Sequence, residues 1–390
     1  MFRKAVFILP IILTFFICSI TLAQTLAVMG DSLSDEYEEE TYDYALNWVE
    51  QLVFYRGVDV GPTAEEAGQF GGTWGEPRRT GYQFNWARWG ATSSDLLNQG
   101  QHIGLANQVD SFNISYGVLE IGANDFDPER PPYYNIYYGL WSNFQIENYI
   151  DQSLANIEQA LVTVYPTGIN LVITNVPDYG VVPFTQQFYP NPFYRERVTT
   201  VIKTLNRRIE DLAREYNLVL FDLFGLSNSI FGSNFEPKTM LLIGNVSINL
   251  LAHDTINNTN PTAGFVHDQI HPHTHLQGIM ANVILKGLNV GYNADISEFS
   301  EKKILTHAGI SYGGEDTLLS EIGEYSEYVV NFKKLGDLNS DGMVGVIDLL
   351  QLLAAWGSCE SELQSCREDL TGNHNINDED LIILLDNWGI

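Results

Sequence analysis

Short apolar segments alternate with longer amphipathic segments along most of the sequence, and this alternation restricts the possible folds more than any other feature. Four apolar runs end in glycine, asparagine, proline or aspartate, the residues that favour turns. These runs are "TLAVMGDS", "YGVLEIGAND", "INLVITNVPD" and "LVLFDLFG". The segments between them repeat apolar residues every three or four positions, the period of a helix that packs on one face. Strands alternating with helices predict an α/β domain, with a parallel sheet covered by helices on both faces.

In such a sheet the ligand site lies beyond the carboxyl ends of the strands, so the polar residues that end the apolar runs are candidates for chemistry. Ser32 follows the first run at a predicted strand-to-helix turn, where its N–H can face a developing oxyanion. Asn124 ends the second run and offers an amide donor, and Gly90 precedes a predicted helix where its backbone can approach a ligand. The alternatives are a helix-capping serine, a turn asparagine and a turn glycine.

The stretch "HDQIHPHTH" contains four of the chain's eight histidines: His267, His271, His273 and His275. Histidines two positions apart in an extended segment face the same side, which would suit a zinc ion. Alternatively, Asp268 lies three residues before His271 and can accept a hydrogen bond from one imidazole nitrogen while the other faces Ser32. Both interpretations are compatible with this stretch considered alone.

Four motifs in this order resemble those of the GDSL, or SGNH, esterases and lipases. They are "GDSLSD" at 30–35, Gly90 in "NWARWGA", "GAND" at 122–125 and "DQIHP" at 268–272. The resemblance covers roughly residues 25 to 290 and implies a flavodoxin-like three-layer α/β/α sandwich, the SGNH hydrolase fold. A zinc site would leave the first and third motifs unexplained.

The resemblance also implies roles for individual residues. Ser32 resembles the nucleophile, His271 its base, and Asp268 the residue that orients the base. The backbone N–H groups of Ser32 and Gly90, with the side chain of Asn124, resemble an oxyanion hole. The family needs no cofactor for catalysis, and the other three histidines of the stretch are expected at the rim or surface.

The chain begins with a basic segment, then about sixteen apolar residues up to Ile20 and small residues near Ala23. This pattern predicts a signal peptide at 1–23 and a secreted, extracellular protein, with periplasmic or cell-surface locations as alternatives. A membrane anchor is disfavoured because the run is short and Pro10 interrupts it, so no membrane span is expected after cleavage. With 20 Lys and Arg against 49 Asp and Glu, the chain should repel nucleic acid.

The expected partner is a small or polymeric ester substrate. Aromatic residues cluster in two segments that could line an acyl or sugar pocket or simply pack their own loops: Trp74, Tyr82, Trp86 and Trp89, then Tyr133, Tyr134, Tyr137, Tyr138 and Trp141. Polysaccharide acyl groups are slightly favoured over the lipase or phospholipase alternative. A non-catalytic carbohydrate- or lipid-binding protein with the same fold is the alternative of another class.

The predicted hydrolase domain spans 24–293. Residues 294–334 contain no strong repeat and are predicted to be a linker or a small β-hairpin built from "GISYGGEDTLL" and "YVVNF". Residues 335–390 contain an internal repeat in which Trp356 matches Trp388, which indicates a separate module.

Each repeat begins with a segment similar to an EF-hand calcium loop. The first supplies Asp337, Asn339, Asp341, Met343 through its carbonyl, and Asp348. The second, predicted to bind more weakly because His374 replaces the turn glycine, supplies Asp369, Thr371, Asn373, Asn375 and Asp380. Aspartate at the last position makes the module resemble a dockerin, which implies a small all-α domain with two EF-hand-like loops, bound Ca²⁺ and a cohesin-like protein partner. Cys359 and Cys366 lie between the repeats and are predicted to form a disulfide, with two free thiols as the alternative.

Overall fold

The computed structural model describes residues 24–39, 42–75, 80–339, 343–359 and 368–389. The predicted signal peptide, Asp341 and Cys366 lie outside the described residues. The described strands are β1 (Leu26–Gly30), β2 (Tyr116–Glu120), β3 (Asn170–Thr174), β4 (Val219–Phe221), β5 (Met240–Ile243), β6 (Val246–His253), β7 (Ala263–Phe265), β8 (Val329–Asn331), β9 (Gly357–Ser358) and β10 (Asn375–Ile376). The described α-helices are α1 (Trp48–Arg56), α2 (Ser93–Asn98), α3 (Gln101–Phe112), α4 (Pro131–Tyr137), α5 (Asn143–Val164), α6 (Pro183–Phe188), α7 (Pro192–Glu215), α8 (Leu223–Phe231), α9 (Thr274–Tyr292), α10 (Glu301–His307), α11 (Leu318–Ile322), α12 (Val346–Ala354) and α13 (Asp378–Asp386).

The central sheet has the strand order β1–β2–β3–β4–β8. Its first four strands are parallel, as predicted, and nearly all their residues are buried, which explains their continuous apolar character. In contrast, β8 pairs antiparallel with β4, with Val330 opposite Leu220, so the sheet is mixed rather than entirely parallel. At the other edge, the N–H of Leu26 donates to the carbonyl of Asp59 at 2.9 Å, and a short extended segment continues the hydrogen bonding there.

Helices cover both faces of this sheet. On one face α9 packs against β3, β4 and β8 and is flanked by α1 and α10, while α3, α5 and α7 form the layer on the other face. The helix α7 shows why the sequence pattern was informative, because Val198, Val201, Leu205 and Ile209 follow the predicted spacing and are all buried. The predicted three-layer α/β/α arrangement is therefore present, with the strand ends and their turns gathered at one edge.

Residues 294–334 are neither a linker nor a free hairpin. They form α10, α11 and β8, and Phe299, Ile304, Leu318 and Val329 are buried in the main core. The segment "YVVNF" pairs with β4, which lies about a hundred residues earlier in the chain. A strand whose partner is so distant leaves no local signal of the sheet it joins.

The C-terminal segment has a small core of its own, separate from the main one. Its two helices pack against each other, and the core residues are Leu338, Val344, Leu352, Leu370, Ile376 and Leu384. The two-residue strands β9 and β10 pair antiparallel between the two repeats. This segment is therefore mainly helical but contains a short strand pair that the all-α prediction did not include.

None of the helices in the described part of the chain combines the length and the apolar character needed to cross a bilayer.

Candidate active site

Ser32 lies in a tight turn at the carboxyl end of β1. The N–H of Asp35 donates to the carbonyl of Asp31 at 2.9 Å, which closes a single turn around the serine. The predicted helix start is absent, since α1 begins well after this turn. A side chain at Gly30 would collide with the carbonyl oxygen of Glu120 on β2, so the glycine of "GDS" allows the two strands to pair closely.

His271 and Asp268 lie in the turn between β7 and α9. Asp268 Oδ1 accepts the N–H groups of Ile270 at 2.9 Å and His271 at 3.0 Å, so the carboxylate is fixed by its own turn. Its Oδ2 is hydrogen-bonded to His271 Nδ1, and His271 Nε2 lies 2.7 Å from Ser32 Oγ. The structure thus brings together the three residues that the motifs indicated, although two of them are more than 200 residues from the third.

Charge and hydrogen bonding keep the Asp268 carboxylate of this cluster ionised. Burial by itself would raise the pKa of Asp268, but the charge of His271 and the hydrogen bonds to Asp268 outweigh it and lower that pKa to about 2. An ionised carboxylate at Nδ1 keeps the proton on that nitrogen. Nε2 of a neutral His271 is then free to accept the Ser32 hydroxyl proton.

Tyr42, which the sequence did not single out, also contacts the cluster. Its hydroxyl donates to Asp268 Oδ2 at 2.9 Å. Its ring lies 5.7 Å from that of His271, and the Trp89 ring lies 4.3 Å from His271, both measured between centroids. Tyr42 belongs to the segment between the nucleophile turn and α1, where no motif draws attention to it.

Gly90 lies in a loop that is tied to the nucleophile turn. Asp35 Oδ2 accepts the N–H of Trp89 at 2.7 Å, and Asp35 Oδ1 lies 3.5 Å from Nη1 of the buried Arg88. Gly90 itself has φ of 68°, in the left-handed region that favours glycine. Within the described ranges, the N–H groups of Ser32 and Gly90 have no protein acceptor. Both remain available to an oxyanion.

Asn124 follows β2 in a short 3₁₀ turn and is held against the same loop. Its Nδ2 donates to the carbonyl of Ala91 at 3.2 Å, which uses one of the two amide hydrogens. The next residue, Asp125, accepts the N–H and the hydroxyl of Ser93, each at 2.8 Å. The "GAND" motif therefore contributes an amide donor and also fixes the start of α2, a role of Asp125 that the sequence did not reveal.

A buried acidic pair lies directly beneath the nucleophile turn. Burial, and then the charge of Glu120, raise the pKa of Asp31, while burial also raises the pKa of Glu120. Ser34 donates its hydroxyl to Glu120 at 2.9 Å. Both shifts favour the protonated form of these acids, which limits the negative charge next to His271.

The other histidines of the stretch each contact a protein group rather than a common point. His273 Nε2 lies 3.1 Å from Asp254 Oδ2 and His275 Nε2 lies 2.9 Å from the carbonyl of Ala263, while His267 is hydrogen-bonded to Tyr44. His273 and His275 are completely buried, so the prediction that they lie at the rim or surface was wrong. Burial, and then the charge of His273, lower the pKa of His275 to about 3, which keeps it neutral.

An apolar cavity of about 80 Å³ lies beside His271, between α8, α9 and the turn after β3. Its walls include Leu33, Tyr179, Leu226, Phe265 and Met280. None of the aromatic residues singled out in the sequence lines it. Tyr133 and Tyr137 are buried, Trp86 donates to Gln108 at 2.8 Å, and only Trp89 reaches the imidazole.

The C-terminal loops gather buried carboxylates. Asp348 accepts the N–H groups of Leu338 at 2.8 Å and Gly345 at 2.7 Å. In the second loop, the Thr371 hydroxyl contacts Asp369 Oδ1 at 3.0 Å and Asp380 Oδ1 at 3.1 Å.

His374 adopts φ of 65°, so the turn that a glycine would favour is made without one. The described residues contain no group of three or more acidic, histidine or cysteine side chains suited to a metal ion, and Asp341 is not among them. The predicted ligands of the second loop include two carboxylates, those of Asp369 and Asp380, together with hydroxyl, amide and carbonyl oxygens. This set of oxygen donors fits calcium.

Comparisons with known proteins agree with this geometry. The family model "GDSL-like Lipase/Acylhydrolase" matches residues 26–284, more than half of the chain. No curated protein matches the chain.

Several solved structures are similar at low identity. A GDSL-like lipase from Bacteroides thetaiotaomicron VPI-5482 is 14% identical with a TM-score of 0.35, covering 68% of this chain and 88% of its own. The psychrotrophic esterase EstA from Pseudoalteromonas sp. is 14% identical with a TM-score of 0.35, covering 69% and 99%. The acetylxylan esterase Axe2 from Geobacillus stearothermophilus is 15% identical with a TM-score of 0.35, covering 68% and 94%. Scores this low support no inference about the substrate.

Proposed function

The chain belongs to the GDSL-like lipase and acylhydrolase family and is an ester-bond hydrolase, and from this premise we propose that it is a secreted serine hydrolase of carboxylic esters. Ser32 is the nucleophile, His271 the general base and acid, and Asp268 the orienting carboxylate. The observation that carries this assignment is the 2.7 Å contact between His271 Nε2 and Ser32 Oγ, with Asp268 on the opposite nitrogen.

In the acylation step, Ser32 Oγ attacks the carbonyl carbon of the ester while its proton passes to His271 Nε2. Negative charge then develops on the former carbonyl oxygen. The N–H groups of Ser32 and Gly90 and the amide of Asn124 stabilise that charge. Asp268 remains ionised because its pKa is low, and it stabilises the imidazolium that forms.

When the tetrahedral intermediate collapses, the bond to the alcohol oxygen breaks and His271 gives its proton to that oxygen. A water molecule then transfers a proton to His271 and attacks the acyl carbon. A second collapse releases the carboxylic acid and returns the proton to Ser32. The chain is unchanged after the two half-reactions.

Residues 335–390 form a dockerin-like attachment module that binds Ca²⁺. In the first loop the ligands are Asp337, Asn339, Asp341, the carbonyl of Met343 and Asp348. In the second loop they are Asp369, Thr371, Asn373, Asn375 and Asp380. Calcium offsets the repulsion among carboxylates that are buried close together, and a disulfide between Cys359 and Cys366 links the repeats.

Exposed apolar residues support an attachment role for this module. Helix α12 leaves Val346, Ile347, Leu350 and Leu353 exposed, and α13 leaves Ile382 and Leu385 exposed. Adjacent exposed apolar side chains on paired helices are typical of a protein interface. The partner is a cohesin-like protein, and the signal peptide at 1–23 delivers the chain to the outside of the cell.

Substitution of the nucleophile tests the proposed chemistry. Ser32→Ala should reduce hydrolysis of p-nitrophenyl acetate on the order of 10³-fold or more while leaving the circular dichroism spectrum unchanged. Ser111→Ala is the matched control, because Ser111 is an exposed residue of α3 that bonds only its own helix. Near wild-type turnover by the Ser32 variant would exclude the assignment and favour the non-catalytic alternative.

The nature of the ester is tested with a substrate panel. Acetylated polysaccharides, triglycerides and phospholipids are compared on the full chain. A polysaccharide acyl esterase should release acetate from the first group only, whereas release of fatty acid would favour the lipase or phospholipase alternative.

A further inference from the structure

The cavity beside His271 is built mainly from apolar side chains. Most belong to α8, α9 and the turns at the strand ends, and they include Leu33, Val182, Leu226, Phe265, Ile270 and Met280. The space measures about 80 Å³ and is partly open, and a recess with apolar walls next to a reactive group is a typical small-molecule site.

The cavity adjoins the reacting atoms on two sides. Leu33 directly follows Ser32 in the nucleophile turn, and His271 contacts Ser32 Oγ at 2.7 Å. The Trp89 ring, by contrast, packs on the imidazole without lining the cavity. An ester carbonyl at Ser32 therefore has an apolar recess within reach of its substituents.

We propose that this cavity binds the acyl chain of the substrate and that the chain is short and aliphatic, centred on a butyryl-sized group. The proposal rests on the proposed hydrolase function and specifies its substrate class. The acyl group stays attached to Ser32 after the alcohol has departed, so it is the part that a small recess beside Ser32 can hold throughout the reaction. A polymeric alcohol is too large for the cavity.

The cavity volume sets the chain length. A dry cavity of about 150 Å³ accommodates benzene, so ~80 Å³ accommodates about three carbon atoms beyond the carbonyl. Each buried methylene improves binding about fourfold, so butyrate esters, with two more methylenes, should exceed acetate esters roughly fifteenfold in kcat/KM. Octanoate esters should lose this advantage because their chain is longer than the cavity.

The test compares p-nitrophenyl acetate, butyrate, hexanoate and octanoate on the full chain. Leu226→Ala enlarges the cavity and should move the preferred length towards hexanoate, whereas Val182→Phe fills it and should lower the butyrate-to-acetate ratio. Ratios of kcat/KM within one variant do not depend on the folded fraction, so a loss of stability does not obscure the result. Leu205→Ala, a buried leucine of α7 outside the cavity, is the matched control and should leave the ratio unchanged.

The possible results separate the two proposals. Hydrolysis with a ratio that Leu226→Ala does not change would overturn the acyl site and leave the hydrolase assignment intact. A shift seen only when the alcohol chain of alkyl acetates is lengthened would assign the cavity to the alcohol and also overturn it. Failure to hydrolyse any ester would contradict the proposed function itself.

The hydrogen bond from Tyr42 supports a second, independent inference. Asp268 Oδ2 is shared between the Tyr42 hydroxyl, at 2.9 Å, and His271 Nδ1, while Oδ1 is occupied by backbone N–H groups. We propose that Tyr42 is a positioning residue, which fixes the carboxylate that orients the base. Its ring also packs against the His271 ring, at 5.7 Å between centroids.

Tyr42→Phe removes only the hydroxyl and should lower kcat roughly tenfold with little change in KM, as expected for loss of a hydrogen bond to a charged group. The nuclear magnetic resonance signal of the His271 Nδ1 proton should also move. Tyr37→Phe is the control, because the Tyr37 hydroxyl donates to the carbonyl of Pro272 instead, and that proton signal should stay in place. An unchanged signal in the Tyr42 variant would overturn the inference.

Discussion

Helix α9 of the catalytic domain and helix α12 of the C-terminal module are both rich in leucine and isoleucine, but their environments are opposite. Nearly every residue of α9 from Thr274 to Leu288 is buried, because the sheet, α1 and α10 surround it. In α12 only Asp348 and Leu352 are buried, and most of the other apolar side chains face outward. An apolar pattern therefore predicts a helix, but whether that helix serves the core or a partner depends on what lies around it.

The acidic residues show the same contrast. Asp268 accepts two backbone N–H groups of its own turn, and Asp348 accepts those of Leu338 and Gly345. A third contact distinguishes them, since Asp268 holds His271 whereas Asp348, in the first turn of α12, accepts N–H groups from the loop before that helix. A carboxylate held by backbone N–H groups thus belongs to the proposed catalytic cluster in one region and to a proposed cation site in the other.

The largest expected effect separates the two aspartates. Asp268→Asn should lower ester hydrolysis about 10⁴-fold, because the amide no longer holds His271 in the tautomer that accepts the serine proton. Asp348→Asn should leave hydrolysis unchanged and weaken calcium binding. Initial rates with p-nitrophenyl acetate and calorimetric calcium titration measure both effects. A large loss of activity in the Asp348 variant would show that the two regions are coupled.

The next effect separates the two helices. Leu285→Ala should destabilise the catalytic domain by about 2–5 kcal/mol, because this fully buried side chain of α9 leaves a cavity behind. Leu350→Ala should change stability by less than about 0.5 kcal/mol, since 60% of that residue is exposed. Urea unfolding followed by fluorescence measures both values. Equal destabilisation would mean that the exposed face of α12 is covered in solution.

Calcium should act on one region only. At a concentration a hundredfold above its dissociation constant, it should stabilise the C-terminal module by about 2.7 kcal/mol, because it binds only the folded form. Scanning calorimetry of the full chain with calcium or with EDTA should move one transition and leave the other in place. Ester hydrolysis should not change. If EDTA abolished hydrolysis and zinc restored it, the histidine stretch would have to be reconsidered as a metal site.

The smallest effect is a pH dependence within the catalytic domain. Burial raises the pKa of Glu50 to about 7, so the folded protein favours the protonated acid. The stability that this protonated acid contributes is fully present below the unfolded pKa of about 4.3 and is lost as the pH rises through 7. The pKa of Asp268 is lowered to about 2, so its contribution is present above about 3.9 and is lost as the pH falls towards 2.

The melting temperature of the catalytic domain should consequently decline from pH 5 to pH 8. Glu50→Gln, which resembles the protonated acid, should flatten that decline, and Glu65→Gln at an exposed position should not. An unchanged slope in the Glu50 variant would mean that other groups cause the pH dependence.

The sequence by itself was sufficient for the parallel strands β1 to β4, for the helices between them and for the residues placed at the strand ends. These features depend on apolar periodicity and on turn residues, which act between neighbours in the chain. Ser32, Gly90, Asn124, Asp268 and His271 could be selected in advance because local turn signals left them as candidates and four short motifs in order resemble those of a known family. The structure brings Ser32, Asp268 and His271 into contact and leaves the N–H groups of Ser32 and Gly90 available.

Only the tertiary structure decided which surfaces meet. Several features depend on contacts between segments that are far apart in the sequence. They are the pairing of β8 with β4, the burial of His273 and His275, the hydrogen bond from Tyr42 to Asp268, and the cavity beside His271. The same holds for the exposed face of α12, whose composition resembles that of a core helix. Burial and contact are properties of packing between distant elements, so the periodicity of one element cannot specify them.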